Sequence, residues 1–346
     1  MREYLTAPFF RLVVILLVTI TLLNGCKDDE FVEPPVVAIG PPVLIANQGN
    51  FGWGEGTLSV YYPESKSIQN NAYETKNAEA LGNVFQSITS ANGQYFFLIN
   101  NSNKIVVTDS NFAKTKEITG LTSPRYMYRV ANDKAYVTDL YASEISVIDM
   151  KALAIVKTIP VRGWSEKGIL HEGKFWFTAP ETNMIYAIDI ASDAVTDSIE
   201  VGEQPESIIK DMDGVIWVLC KGDESKNQKA QLVSNLFVGI DLFQKNMGIE
   251  GAIPTGLAYD SLNHSIYFLS DRIWKMRIDE DTEPQSWKQI SNAALYTIKV
   301  NPKNGDVYAS DVKDFVSKSR IYRFSSVGEP LDEFSAGIIS GDFFFP

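Results

Sequence analysis

One short stretch, Lys134-Ala-Tyr-Val-Thr-Asp139, constrains the fold more than any other feature, because copies of it recur through the chain. Aligned copies are Gln94-Tyr-Phe-Phe-Leu-Ile99, Lys174-Phe-Trp-Phe-Thr-Ala179, Val215-Ile-Trp-Val-Leu-Cys220, Ser265-Ile-Tyr-Phe-Leu-Ser270 and Asp306-Val-Tyr-Ala-Ser-Asp311. Pro42-Val-Leu-Ile-Ala-Asn47 is a weaker copy. A column of bulky apolar residues passes through all seven: Leu44, Phe96, Tyr136, Trp176, Trp217, Tyr267 and Tyr308. The steps between them are 52, 40, 40, 41, 50 and 41 residues. A period near forty, with short strands in each unit, predicts an all-β, seven-bladed β-propeller. Each unit alone cannot bury both of its faces and must stack on its neighbours.

Each unit reads as four strands, a to d, with Gly, Asn, Asp and Pro at the joins. The third unit places them near Arg125–Val130, Lys134–Asp139, Glu144–Asp149 and Ala154–Val161. The fourth repeats the pattern at Gly168–His171, Lys174–Ala179, Met184–Asp189 and Ala194–Val201. The last has Tyr296–Val300, Asp306–Asp311, Ser319–Phe324 and Leu331–Ser335. The first starts at its b strand, Val43–Asn47, followed by Thr57–Tyr62 and Ser67–Tyr73. The chain's last ten residues, from Gly337, are left over, so they are expected to supply the missing strand a and close the ring. No long stretch keeps a 3.6-residue period, which excludes a helical solenoid.

Hydrophobic residues make up 45% of the chain and charged residues 21%, enough for a sizeable core. The net charge of -12 gives no footprint for nucleic acid. Two cysteines exclude a disulfide scaffold, and Cys220 falls in a strand as a small core residue. Asp109, Asp149, Asp189, Asp241 and Asp279 close strand c in five units. Spaced one per blade they cannot pair, and they are expected to cap the following turns. The only histidines, His171 and His264, fall in a–b turns of different blades, which argues against a histidine triad or metal site.

Before the repeats lies a leader. Residues 12–23 form one apolar run behind Arg2 and Arg11, spanning about 18 Å as a helix, too short for a bilayer core. Residues 1–25 are therefore expected to be a signal peptide. The run ends in Leu23-Asn-Gly-Cys26, which resembles the lipobox of bacterial lipoproteins and implies lipidation of Cys26. Lys27-Asp-Asp-Glu30 looks like an acidic signal for export to the outer face of the outer membrane. Glu33-Pro-Pro-Val-Val-Ala-Ile-Gly-Pro-Pro42 reads as an extended spacer. The expected organisation is leader 1–25, lipidated tether 26–41 and propeller 42–346, held to the outer membrane by lipid and exposed on the cell surface.

In a propeller the b–c loops and the d–a loops share one face, and the a–b and c–d turns share the other. The first face holds the richer loops here. Asn47-Gln-Gly-Asn-Phe-Gly-Trp-Gly-Glu-Gly56 displays Phe51 and Trp53. The next b–c loops carry Asn100 and Asn101, then Tyr141. The segment from Lys221 to Gln231 is a polar insertion, and Asp311 to Lys318 forms the last such loop. The d–a loops contribute Arg125 and Tyr126, then Arg162, Trp164 and Glu166, then Glu206. With Asn47, these twelve residues are the candidate binding set: rings, amides and a few charges suited to a large ligand of mixed polarity. Trp164 and Tyr126 have an alternative role as packing between blades. The sequence shows no nucleophile–base pair, phosphate loop or metal-ligand cluster, so neither catalysis nor a cofactor is expected.

The stretches Asn47-Gln-Gly-Asn-Phe-Gly-Trp-Gly54, Asn100-Asn-Ser-Asn-Lys-Ile105, Ser123-Pro-Arg-Tyr126 and Gly163-Trp-Ser-Glu166, with the Cys26 leader, resemble the YncE-like β-propellers. More narrowly the chain is similar to their surface-lipoprotein branch, which includes the cobalamin-capturing BtuG proteins. Gln48 stands where that group would carry an acidic residue, and Ser165 where it would carry a proline. The resemblance implies capture of a bulky nutrient, such as a corrinoid, and transfer to a TonB-dependent outer-membrane transporter. Two other readings stay open from the residues alone. One is a surface protein that docks a protein or glycan without a small ligand. The other is a lactonase- or lyase-type propeller, which would need a central metal.

Overall fold

The computed structural model describes residues 35–234, 243–246 (backbone only), 253–280 and 282–346. The leader, Cys26, the acidic run and Asp241 lie outside the described residues.

Seven four-stranded antiparallel sheets follow one another around a ring, as the repeat predicts. Blades 2 to 7 take their four strands consecutively from the chain. Blade 1 does not: its order is Ser340–Phe344, Val43–Asn47, Thr57–Tyr62, Ser67–Gln69, so the C-terminal segment is its strand a. Leu44 lies opposite Phe344 and Ala46 opposite Asp342. The strand bounds of blades 3, 4 and 7 agree with the sequence reading to within one to three residues.

One element differs in kind. The strand expected over Ser67–Tyr73 stops at Gln69, and a short helix, α1 (Ala72–Asn77), follows. Asn71 takes a left-handed conformation (φ 52), which breaks the extended run. Entering as a helix puts Ala72 and Tyr73 into the core.

Side chains alternate across each strand, and this sorts the core into seven apolar clusters, one between each pair of neighbouring blades. The recurring bulky column always faces the next blade. Phe96 packs with Met127 and Val137, Trp176 with Ile208 and Val218, and Tyr308 with Ile45 and Phe343. All seven column residues are buried. Removing one such side chain costs about 3–5 kcal/mol and loosens two blades at once.

Closure of the ring is reinforced by Asn47. Its amide nitrogen donates to Thr57 O (3.0 Å) and Ser59 Oγ (2.9 Å), both in blade 1. Its amide oxygen accepts from Gly337 N (3.1 Å) and Ser340 Oγ (2.7 Å), residues near the far end of the chain. Residue 37 enters beside the c–d turn of blade 1, where Val37 N donates to Ser67 Oγ at 3.1 Å. This is the face with the short turns.

Three of the aspartates that close strand c behave as turn caps. Asp109 accepts from the N–H groups of Asn111 and Ala113, Asp149 from those of Lys151 and Ala152, and Asp189 from that of Ser192. Asp279 departs from this, since it pairs with the Arg277 guanidinium instead.

Candidate functional site

In six of the seven blades, where the innermost strand begins on the b–c loop face, the ladder slips by one residue. The shifts fall between Phe85 and Ser87 in blade 2, Pro124 and Met127 in blade 3, and Pro205 and Ser207 in blade 5. Blade 6 slips between Thr255 and Ala258, blade 7 between Leu295 and Thr297, and blade 1 opposite Ala46 and Asn47. In blade 4 the ladder starts at Gly168, and Thr178 bonds both Glu166 N and Lys167 O just before it. A β-bulge re-aims its extra residue out of the sheet. The re-aimed residues are Gln86, Arg125 and Tyr126, Glu166 and Lys167, Glu206, Gly256, Tyr296 and Gly341. All of them line one cavity of about 660 Å³ at the axis of the ring.

The charged half of the lining belongs to blades 3 to 5. The Arg125 Nε sits 3.0 Å from Glu166 Oε2 and Nη2 2.5 Å from Oε1. Burial works against the guanidinium charge, but Glu166 outweighs it and holds the Arg125 pKa above the ordinary value. Burial, together with the Glu166 charge, pushes the Tyr126 hydroxyl well above its usual pKa, so it stays protonated. The Glu206 carboxylate accepts from Lys167 Nζ (3.3 Å), Thr255 Oγ1 (3.2 Å), Gly256 N (3.2 Å) and the Ser207 hydroxyl. Burial acts to raise its pKa, but Lys167 and Lys221 pull it down to about 2. At the rim, Lys226 pairs with Glu203 at 2.8 Å, and Asn183 donates to the same carboxylate at 2.9 Å.

Of the twelve residues expected from the sequence, the cavity gathers five: Arg125, Tyr126, Trp164, Glu166 and Glu206. Phe51, Trp53 and Tyr141 stand on loops of the same face, 67%, 95% and 73% exposed. Arg162 is also exposed, two residues before Trp164. The asparagines are engaged elsewhere. Asn47 fastens the ring, as described. The Asn100 amide donates to Pro124 O at 3.2 Å and ties blade 2 to blade 3. The Asn101 amide donates to Asn83 Oδ1 at 2.6 Å, and Asn83 in turn holds the loop that displays Phe51 through Asn50 O at 3.2 Å.

Gln48, Gln86, Lys167, Asn183, Glu203, Lys221 and Tyr296 also line the cavity and are not among the twelve. A signal for several of them existed. Residues 86, 126, 166 and 206 recur at steps of forty, and 256 and 296 resume that step after the insertion. The repeat is plainest in strand b, which points to the loops that follow it and not to the start of strand a.

Both histidines lie on the opposite face, His171 ending strand a of blade 4 and His264 in an a–b turn with φ 46. Among the described residues no cluster of three His, Cys, Asp or Glu side chains could hold a metal ion. Cys220 is buried, and burial pushes its thiol pKa up to about 12, as suits a packing residue.

Similar folds occur in proteins of unlike description. The chain resembles a quinonprotein alcohol dehydrogenase-like protein from Bacteroides thetaiotaomicron, at 16% identity and TM-score 0.67, over 88% of this chain and 78% of that one. It resembles a functionally unknown protein from Desulfotomaculum acetoxidans at 11% identity and TM-score 0.66, over 88% and 99%. Hydrazine synthase from Kuenenia stuttgartiensis matches at 12% identity and TM-score 0.62, over 88% and 100%. At such identities the likeness is one of fold. No curated protein matches the sequence. Residues 42–346 match the family model described as a domain of unknown function, DUF5074, and the chain belongs to that family.

Proposed function

We propose that the protein captures a bulky ligand of mixed polarity in the axial cavity, and that it does so as a cell-surface lipoprotein serving a TonB-dependent outer-membrane transporter. The observation that carries the binding reading is the ring of re-aimed residues. Every blade turns the start of its inner strand toward one cavity, of a size suited to a small-molecule ligand. Rings (Tyr126, Trp164, Tyr296), amides (Gln48, Gln86, Asn183) and ion pairs share its wall. A corrinoid, a macrocycle fringed with amides, suits that mixture: its hydrocarbon edge packs against rings and its fringe meets amides. The Cys26 leader supports anchoring, and the spacer gives the body reach from a membrane.

The test is calorimetric titration of the chain from residue 30 with cyanocobalamin, methylcobalamin and dicyanocobinamide. Saturable heat with at least one of them is expected. Silence with all three overturns the corrinoid reading.

A second reading has its own observation. Phe51, Trp53, Tyr141, Phe315 and Val316 are all exposed on loops of the cavity face, and exposed apolar groups gathered on one face mark docking surfaces. A protein or glycan partner retained from outer-membrane extract with no nutrient present, and lost on Trp53→Ala, favours that reading.

A further inference from the structure

The cavity wall is unequal. On blades 6, 7 and 1 the re-aimed positions are Gly256, Tyr296 and Gly341, so Tyr296 stands between two positions that carry no side chain. Gly256 is left-handed (φ 67), and a Cβ there would crowd Ile298 at 3.3 Å; a Cβ at Gly341 would collide with the Gln48 amide. The Tyr296 ring is held from two directions. Its hydroxyl donates to Gln48 Oε1 at 3.1 Å, and Phe315 meets it edge-on with centroids 6.1 Å apart. The glycines let the backbone and the Gln48 amide close in beside the ring, and a ring fixed in this way in the cavity wall is a surface against which a conjugated group can pack.

The opposite wall holds the cations Arg125, Lys167, Lys221 and Lys226. Three of them sit in direct ion pairs, with Glu166, Glu206 and Glu203. Among the described residues no carboxylate pairs directly with Lys221. The nearby Glu206 carboxylate is already engaged by Lys167, Thr255, Gly256 and Ser207, and it feels Lys221 only through longer-range attraction. Glu181, the remaining acid of the wall, lies on the blade 4 rim and accepts the Trp164 backbone N–H at 3.4 Å.

We infer that the cavity takes a ligand with a conjugated macrocycle and one anionic group, the macrocycle packing against Tyr296 between Gly256 and Gly341 and the anion meeting Lys221. The inference rests on the capture reading and narrows it. Among corrinoids it selects those whose nucleotide loop carries a phosphodiester over those that lack the loop.

The experiment titrates the full-length protein in detergent with cyanocobalamin, which has the phosphodiester, and dicyanocobinamide, which does not. The unaltered protein should bind the first roughly ten-fold tighter, the scale of a hydrogen bond to a charged group. Lys221→Gln should abolish that preference by weakening cyanocobalamin alone. Tyr296→Ala should weaken both by roughly ten-fold, as loss of an aromatic anchor does. Tyr296→Phe, which keeps the ring, should bind both nearly as well as the unaltered protein, and it separates lost packing from lost folding. Equal affinity for the two probes, a Lys221→Gln effect shared by both, or indifference to Tyr296→Ala overturns the inference and leaves capture standing. Binding of neither probe brings down the corrinoid reading, and this assignment falls with it.

Discussion

Arg125 and Glu166 join blades 3 and 4 through a two-armed ion pair, with Nε 3.0 Å from Oε2 and Nη2 2.5 Å from Oε1. The third guanidinium nitrogen reaches back to Gln86 Oε1 of blade 2 at 2.5 Å. One side chain therefore spans three blades at the mouth of the cavity. Arg125→Ala would leave the Glu166 carboxylate, 7% exposed, without its cation. Loss of about 3–5 kcal/mol of stability is expected. Pairing it with Glu166→Gln should recover part of that loss. Urea denaturation measures both, and a single-variant loss under about 1 kcal/mol would count against the arrangement.

The two candidate tryptophans share a face but differ in place. Trp164 lines the cavity, whereas Trp53 stands on the rim, 95% exposed. Under small-ligand capture, Trp164→Ala should weaken binding by about 1–3 kcal/mol and Trp53→Ala by much less. Titration of both variants checks the order. The reverse order would move the ligand from the cavity to the rim.

Asn47 bonds blade 1 to the C-terminal segment through Gly337 and Ser340. Asn47→Ala should lower stability by about 2–4 kcal/mol, since it leaves several buried partners unpaired. Native-state proteolysis should release the last ten residues first. Cleavage elsewhere, with the terminus still protected, would show that closure does not depend on this amide.

The Glu206 pKa of about 2 lies below its unfolded value of 4.5. The stability linked to its ionisation is therefore present above about pH 4.5 and lost as the pH falls toward 2. It is on the order of 3 kcal/mol. Replacing both partners, as Lys167→Met with Glu206→Gln, should flatten the urea midpoint between pH 5 and about pH 3. An unchanged acid slope would contradict this.

Glu74, in the first turn of α1, titrates in the opposite sense. Its carboxylate oxygens are shielded from solvent without a side-chain partner, and burial raises its pKa from 4.5 to about 7. The folded form then holds a proton that the unfolded chain releases, so stability falls as the pH rises from about 4.5 to about 7. Glu74→Gln should melt higher than the unaltered protein at pH 8 and match it at pH 4. Equal melting at pH 8 would show that the carboxylate finds water or a cation.

The sequence by itself determined the number of blades, the strand order within each and the closure by the C-terminal segment. These follow from periodicity: a bulky residue every forty positions must face the same neighbour each time, and Tyr136 and Trp176 do so because strand side chains alternate strictly. It also determined the role of Asp109, Asp149 and Asp189, since a short acid after a strand finds local N–H groups whatever surrounds it. Only the tertiary structure decided what the axial cavity contains. A bulge is a slip between two strands, and nothing in Gln86 or Tyr296 alone marks it. Asn47 and Asn100 look like ligand groups in a loop, yet their partners, Ser340 and Pro124, become neighbours only when the ring closes and the blades stack. Which charges pair across blades, and which one is left over, depends on distances between inner strands that are forty residues or more apart in the chain.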